Sequence, residues 1–276
     1  MNRKEKEVVF LPYKASMWDS LESVYLKAKE DPDCDVYCVP IPYYDLNADR
    51  SFGEFHDEQK EYPKNIEVTD WQTYQLEERK PDIIFIHNPY DDWNLVTCVH
   101  PRYFSANLKK YTEKLVYIPY FVLDEIEPSD QTKIDGMKHF CFLPGVVNAD
   151  KVIVQSEKMK QIYVNEYLKA AQANGLHGQH VDRKKLEEKI LGLGSPKFDK
   201  VLKADKWEYM STLPVSWQSK LDDKKKIVLY NTSIQELLDG KIEALNAIGN
   251  ALETFAKNDN ITAIWRPHPL NDAVLS

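Results

Sequence analysis

A series of short apolar runs constrains this chain more than any other feature. EVVFLPY (Glu7 to Tyr13), DVYCVPIP (Asp35 to Pro42), DIIFIHNPY (Asp82 to Tyr90), KLVYIPYF (Lys114 to Phe121) and KVIVQS (Lys151 to Ser156) are each rich in β-branched and aromatic residues. KILGLGSPKFDKV (Lys189 to Val201), KIVLYNTS (Lys226 to Ser233) and ITAIWRPHP (from Ile261) continue the series. Runs of this length and composition read as buried strands. Between them lie stretches with helical spacing, such as Met17, Leu21, Val24, Tyr25 and Ala28 after an N-cap at Ser16. Strands alternating with helices imply crossover connections and parallel pairing.

The expected fold class is therefore α/β, a Rossmann-like parallel-sheet domain plus the start of a second Rossmann-like domain. The first spans 1–202. Residues 203–225, charged and holding two Trp and one Pro, read as a linker with a short helix. Residues 226–276 read as the beginning of the second domain, incomplete because two strands and one helix bury too little surface to stand alone. The expectation is that the chain is part of a longer protein. Tyr43 to Tyr62 lacks periodicity and exceeds ordinary loop lengths, so it reads as a functional or mobile loop.

The formal net charge is −8, which disfavours a nucleic-acid partner because phosphate backbones are repelled. The N-terminal segment has no apolar core of a secretory signal, and no run approaches the roughly 20 residues of a spanning helix. Cys34, Cys38, Cys98 and Cys141 show no CxxC or framework spacing, as in a reduced compartment. A cytoplasmic location is expected, with peripheral association at the inner membrane face left open.

Ligands of open parallel sheets bind beyond the carboxyl ends of the strands, so polar residues at run ends are the candidates. These are His87, Asn88 and Asp91, then Tyr120, Ser156, Gly194, Ser195 and Lys197, then Asn231, Thr232, Ser233, Arg266 and His268. Ser156 and Ser233 also stand where helix N-caps belong. His87 is a candidate general base. His87 and Asp91 would share a metal only on a helix, and Pro89 argues against one, so no metal is expected. No dinucleotide or ATP loop motif is present, and no cofactor is expected. Arg266 and His268 alternate with Trp265 and Pro267, which aims both at one spot and suits a phosphate or pyrophosphate.

The order of these segments resembles the CDP-glycerol glycerophosphotransferase family. Its G-x-P-[RK]-x-D turn is matched by Gly194, Pro196, Lys197 and Asp199. A following strand is matched by Val228, Leu229, Tyr230 and Thr232, and its R-x-HP strand by Arg266, Pro267, His268 and Pro269. The resemblance covers roughly 110–276. It implies a GT-B fold and a transferase that moves glycerol phosphate, or a sugar, from a nucleotide-activated donor to a glycan or glycerol-phosphate acceptor. It further implies that Arg266, with Asn231, Thr232 and Ser233, holds the donor phosphates and that His268 assists the leaving phosphate. The family's HG motif is absent, with Ile118, Pro119 and Tyr120 in its place; His87 or Tyr120 is the substitute base. The alternatives are a non-catalytic nucleotide- or glycan-binding protein of the same fold and a nucleotide-sugar epimerase-like enzyme.

Overall fold

The structure is a computed structural model, describing residues 6–173, 181–222, 225–232 and 234–267. The strands among the described residues are β1 (Lys6–Leu11), β2 (Cys34–Cys38), β3 (Tyr43–Leu46), β4 (Phe52–His56), β5 (Ile83–Ile86), β6 (Thr97–Val99), β7 (Lys114–Tyr117), β8 (Lys151–Val154), β9 (Ile190–Gly192), β10 (Lys226–Asn231) and β11 (Ile261–Arg266). The chain divides into two compact units, 1–203 and 204–276.

In the first unit, six strands form one parallel sheet in the order β2-β1-β5-β7-β8-β9. The two-residue period of the strands sorts their side chains onto opposite faces. Val9, Leu11, Ile84, Ile86, Leu115, Val152 and Val154 pack on one side with Met159, Ile162 and Tyr163 of the Glu157–Ala173 helix. Val8, Phe10, Val36, Cys38 and Val116 pack on the other with Trp18, Leu21 and Tyr25. Both faces are covered, which is why the strands read as continuous apolar runs rather than alternating ones. Chain order reverses direction at β1, which lies between β2 and β5. That switch point lies between β1 and β5, and ligands of open parallel sheets bind beyond the carboxyl ends of such strands.

Two expectations change here. The helix expected after Ser16 is a 3-10 turn, Ala15–Ser20, followed by the Glu22–Lys29 α-helix, and Ser16 makes no cap. Ser20 Oγ donates to the Met17 carbonyl at 2.8 Å, a local bond that competes with the helical ladder. The segment read as a loop, 43–62, holds β3 and β4, which pair antiparallel, and β3 also pairs with β6. Its strands were illegible because nearly all their residues are exposed or half-buried and a register shift between Tyr44 and Leu46 breaks the two-residue period.

In the second unit, β10 and β11 pair in parallel, and the Ile234–Ala256 helix connects them, with a kink at Lys241 where φ is 42°. The segment expected as a linker with a short helix holds two, Lys206–Thr212 and Val215–Asp222. Asp205 caps the first of these by accepting from the backbone N–H of Trp207 and Glu208.

Candidate functional site

Aromatic rings gather at the switch point. Tyr13 follows β1, His87 and Tyr90 follow β5, and Tyr120 follows β7. The rings of Tyr13 and Tyr120 lie 5.8 Å apart, as do those of His87 and Tyr120, and Tyr13 meets His87 at 5.7 Å. Lys14 places its ammonium 4.8 Å from the Tyr43 ring centroid. Glu58 accepts from the Tyr43 hydroxyl at 2.5 Å and from the Ala15 N–H at 2.7 Å. Burial pushes the Tyr13 phenol up to about 12, and burial with the neighbouring Tyr13 and Tyr90 phenols raises Tyr120 further. These phenols are therefore neutral hydrogen-bonding groups at pH 7 and not bases.

His87 sits at the switch point with no solvent exposure. Its Nε2 accepts from the Tyr13 N–H at 2.8 Å, which leaves the proton on Nδ1, 2.8 Å from Ser20 Oγ. Both nitrogens are committed. Burial, helped by the Lys197 charge, pushes its pKa down to about 3. The expected general base is thus a neutral strut that ties β1, β5 and the 3-10 turn together.

Asp91 has a similar fate. It adopts φ 50° and accepts from Ser105 N–H at 2.9 Å and Ser105 Oγ at 2.6 Å. Burial raises its pKa to about 6, opposed by those two bonds. Asn88 accepts from the Tyr90 N–H at 2.9 Å, closing a turn.

The candidates after β8 and β9 are fastened too. Ser156 Oγ donates to Glu125 at 2.7 Å and accepts from Met159 N–H at 3.1 Å, which makes it the cap of the Glu157–Ala173 helix. Ser195 Oγ accepts from the Lys197 N–H at 3.4 Å, capping the Pro196–Leu202 helix. Gly194, at φ 101°, makes the turn before it. Lys197 Nζ pairs with Asp19 at 2.6 Å, and Asp199 accepts from Ser23 Oγ at 2.6 Å. The G-x-P-K-x-D turn therefore clamps its helix onto the segment after β1. Gly194 and Ser195 nevertheless line an open cavity of about 440 Å3 with Val24, Phe85, Val116, Ile118, Ile153 and Phe198.

In the second unit the register pairs Asn231 with Arg266 at adjacent strand ends. Thr232 is buried, accepts from Trp265 Nε1 at 3.2 Å and donates its N–H to the Arg266 carbonyl at 3.4 Å. Asn231 and Arg266 are exposed. Ser233 and His268 lie outside the described residues. Sequence reasoning missed Tyr13, Lys14, Tyr43, Glu58 and Tyr90. The first two could have been found as residues that follow β1, but Tyr43 and Glu58 reach this cluster only through tertiary packing.

No family model matches the chain, and no curated protein matches it. Solved structures do. The S. aureus MnaA–UDP co-structure aligns with 98 % of this chain at 11 % identity and a TM-score of 0.50. The UDP-GlcNAc 2-epimerase from Neisseria meningitidis bound to UDP-GlcNAc aligns with 97 % at 12 % identity and a TM-score of 0.53. The chain spans 63 % and 67 % of their respective lengths. These neighbours overturn the resemblance to CDP-glycerol glycerophosphotransferases. The motifs that carried it are strand ends, caps and clamps, which any fold built of parallel βα units needs, as the Lys197 and Asp199 contacts illustrate. No helix among the described residues is long and apolar enough to cross a membrane. The chain has the α/β, GT-B-like fold of the UDP-GlcNAc 2-epimerases.

Proposed function

We propose that the protein binds a nucleotide-linked sugar and acts as a nucleotide-sugar epimerase-like enzyme. The observation that carries this reading is the juxtaposition of Asn231, Thr232 and Arg266 at the carboxyl ends of two adjacent parallel strands. It is supported by a fold shared with proteins whose structures hold UDP and UDP-GlcNAc. An exposed guanidinium presents a planar fork of donors suited to a diphosphate, and the Asn231 amide adds a further donor.

A non-catalytic reading has one observation in its favour. His87, the candidate base of the first unit, has no free nitrogen. Both readings require binding, and only the first requires turnover.

Thermal unfolding with UDP-GlcNAc, UDP and other nucleotide sugars tests binding. A ligand at a hundred times its Kd adds about 2.7 kcal/mol. A shift with one of them that shrinks in Arg266→Ala supports the site. Sugar isomerisation detected by NMR in the same samples selects the enzyme, and binding without it selects the non-catalytic protein. No shift with any ligand overturns both.

A further inference from the structure

The antiparallel β3–β4 hairpin gathers groups that the proposed function leaves unused. Asp45 on β3 and Glu54 and His56 on β4 bring one donor atom each to within 4.8 Å of one another. The register explains how. Tyr43 pairs with His56, Tyr44 with Phe55 and Leu46 with Phe52. One residue of β3, Asp45, therefore faces two of β4, Gly53 and Glu54. The two-residue alternation puts Glu54 and His56 on the face that carries Tyr43 and Asp45, while the bulge re-aims Phe52 to join Phe55 against the Tyr44 ring on the opposite face.

The imidazole is held in place. Its ring stacks on Tyr43, with centroids 4.7 Å apart and planes 17° from parallel. Tyr43 is in turn anchored through its hydroxyl to Glu58. His56 Nε2 lies 3.0 Å from Asp45 Oδ2, so one nitrogen already faces the carboxylates.

We propose that Asp45, Glu54 and His56 form a binding site for a divalent transition-metal ion of the zinc class. Donor atoms around a tetrahedral zinc, each about 2.1 Å from the ion, are roughly 3.4 Å apart. Small side-chain rotations bring the three donors from their present spacing to that one. An imidazole with two carboxylates suits Zn2+, Ni2+ or Cu2+, whereas Mg2+ and Ca2+ prefer oxygen donors alone. Three protein ligands leave a fourth position for water. The ion would also offset the repulsion between two carboxylates set this close. Sequence reasoning passed over the site because it read this segment as a loop, and only the antiparallel pairing of Tyr43 with His56 brings the three positions onto one face.

Calorimetric titration of the chelator-treated protein with ZnCl2 alone tests the site. The expected result is one zinc per chain, with affinity lowered at least tenfold in His56→Gln and in Asp45→Asn and unchanged in His139→Ala. Loss of the Tyr43 stack could unfold the hairpin in a variant, so far-UV circular dichroism accompanies each titration. Co2+ provides a second readout: visible d–d absorption that changes on binding to the wild type and not to a folded His56→Gln protein. Absence of stoichiometric zinc binding by the wild type overturns the proposal. So does equal binding by the wild type and His56→Gln, or an affinity for Mg2+ or Ca2+ matching that for Zn2+.

Discussion

The two units are built from the same parallel βα grammar and differ in how much of it they bury. In the first, Leu115 at the centre of the six-stranded sheet has no exposure. In the second, Ile227 and Leu229 on β10 are 52 % and 58 % exposed, in a sheet that has two strands among the described residues. Apolar sequence is thus equally strong in β7 and β10, and packing is not. The polar residues at the strand ends follow suit. In the first unit His87, Asp91, Ser156 and Lys197 are consumed by caps, clamps and buried bonds. In the second, Asn231 and Arg266 remain exposed and available.

This contrast can be broken most sharply with acid. His87 ionises at about 6.5 in an unfolded chain and at about 3 when folded. Its contribution is present above pH 6.5 and is lost as the pH falls toward 3, on the order of 5 kcal/mol in all. Asp91 works in the opposite sense: its pKa is raised to about 6, so its contribution is lost as the pH rises from about 4 to 6. Urea denaturation from pH 7.5 to 4 should show the His87 loss, and His87→Gln should flatten the acid limb. Asp91→Asn should steepen it by removing the opposing group. A first unit whose acid limb is the same in all three proteins would contradict the buried, neutral His87.

Leu115→Ala should cost about 3 kcal/mol, as buried leucines do, whereas Leu229→Ala should cost under about 1 kcal/mol, given its exposure. Equal losses in denaturant melts would mean that β10 is covered as completely as β7. Gly192→Ala sharpens the same point. A Cβ there would lie 2.6 Å from the Ser156 carbonyl oxygen, and overpacking of this kind costs roughly 1–3 kcal/mol. A small effect is expected for Ser156→Ala, about 1 kcal/mol from loss of the cap, with nucleotide-sugar binding unchanged. A loss of ligand affinity with no loss of stability would reassign Ser156 from cap to ligand contact.

The strands of the parallel sheets were legible because burial on both faces writes itself as unbroken runs such as Val8 to Leu11 and Ile83 to Ile86. Arg266 and Asn231 were legible as strand-end residues, and the register then aligned them. The β3–β4 hairpin was not, because its half-exposed strands carry Asp45, Glu54 and His56 where an apolar period would be needed. Nor was the fate of His87, since a histidine after a strand looks the same in sequence whether its nitrogens face a ligand or a backbone N–H.

By itself the sequence determined the α/β class, the positions of most parallel strands and the set of polar residues at their ends, since each follows from local composition and period. Only the tertiary structure decided which of those residues are available for chemistry. That choice depends on partners far apart in sequence, as when Tyr13 and Ser20 take the two nitrogens of His87, and hydrogen bonds between distant segments leave no periodic mark on the chain.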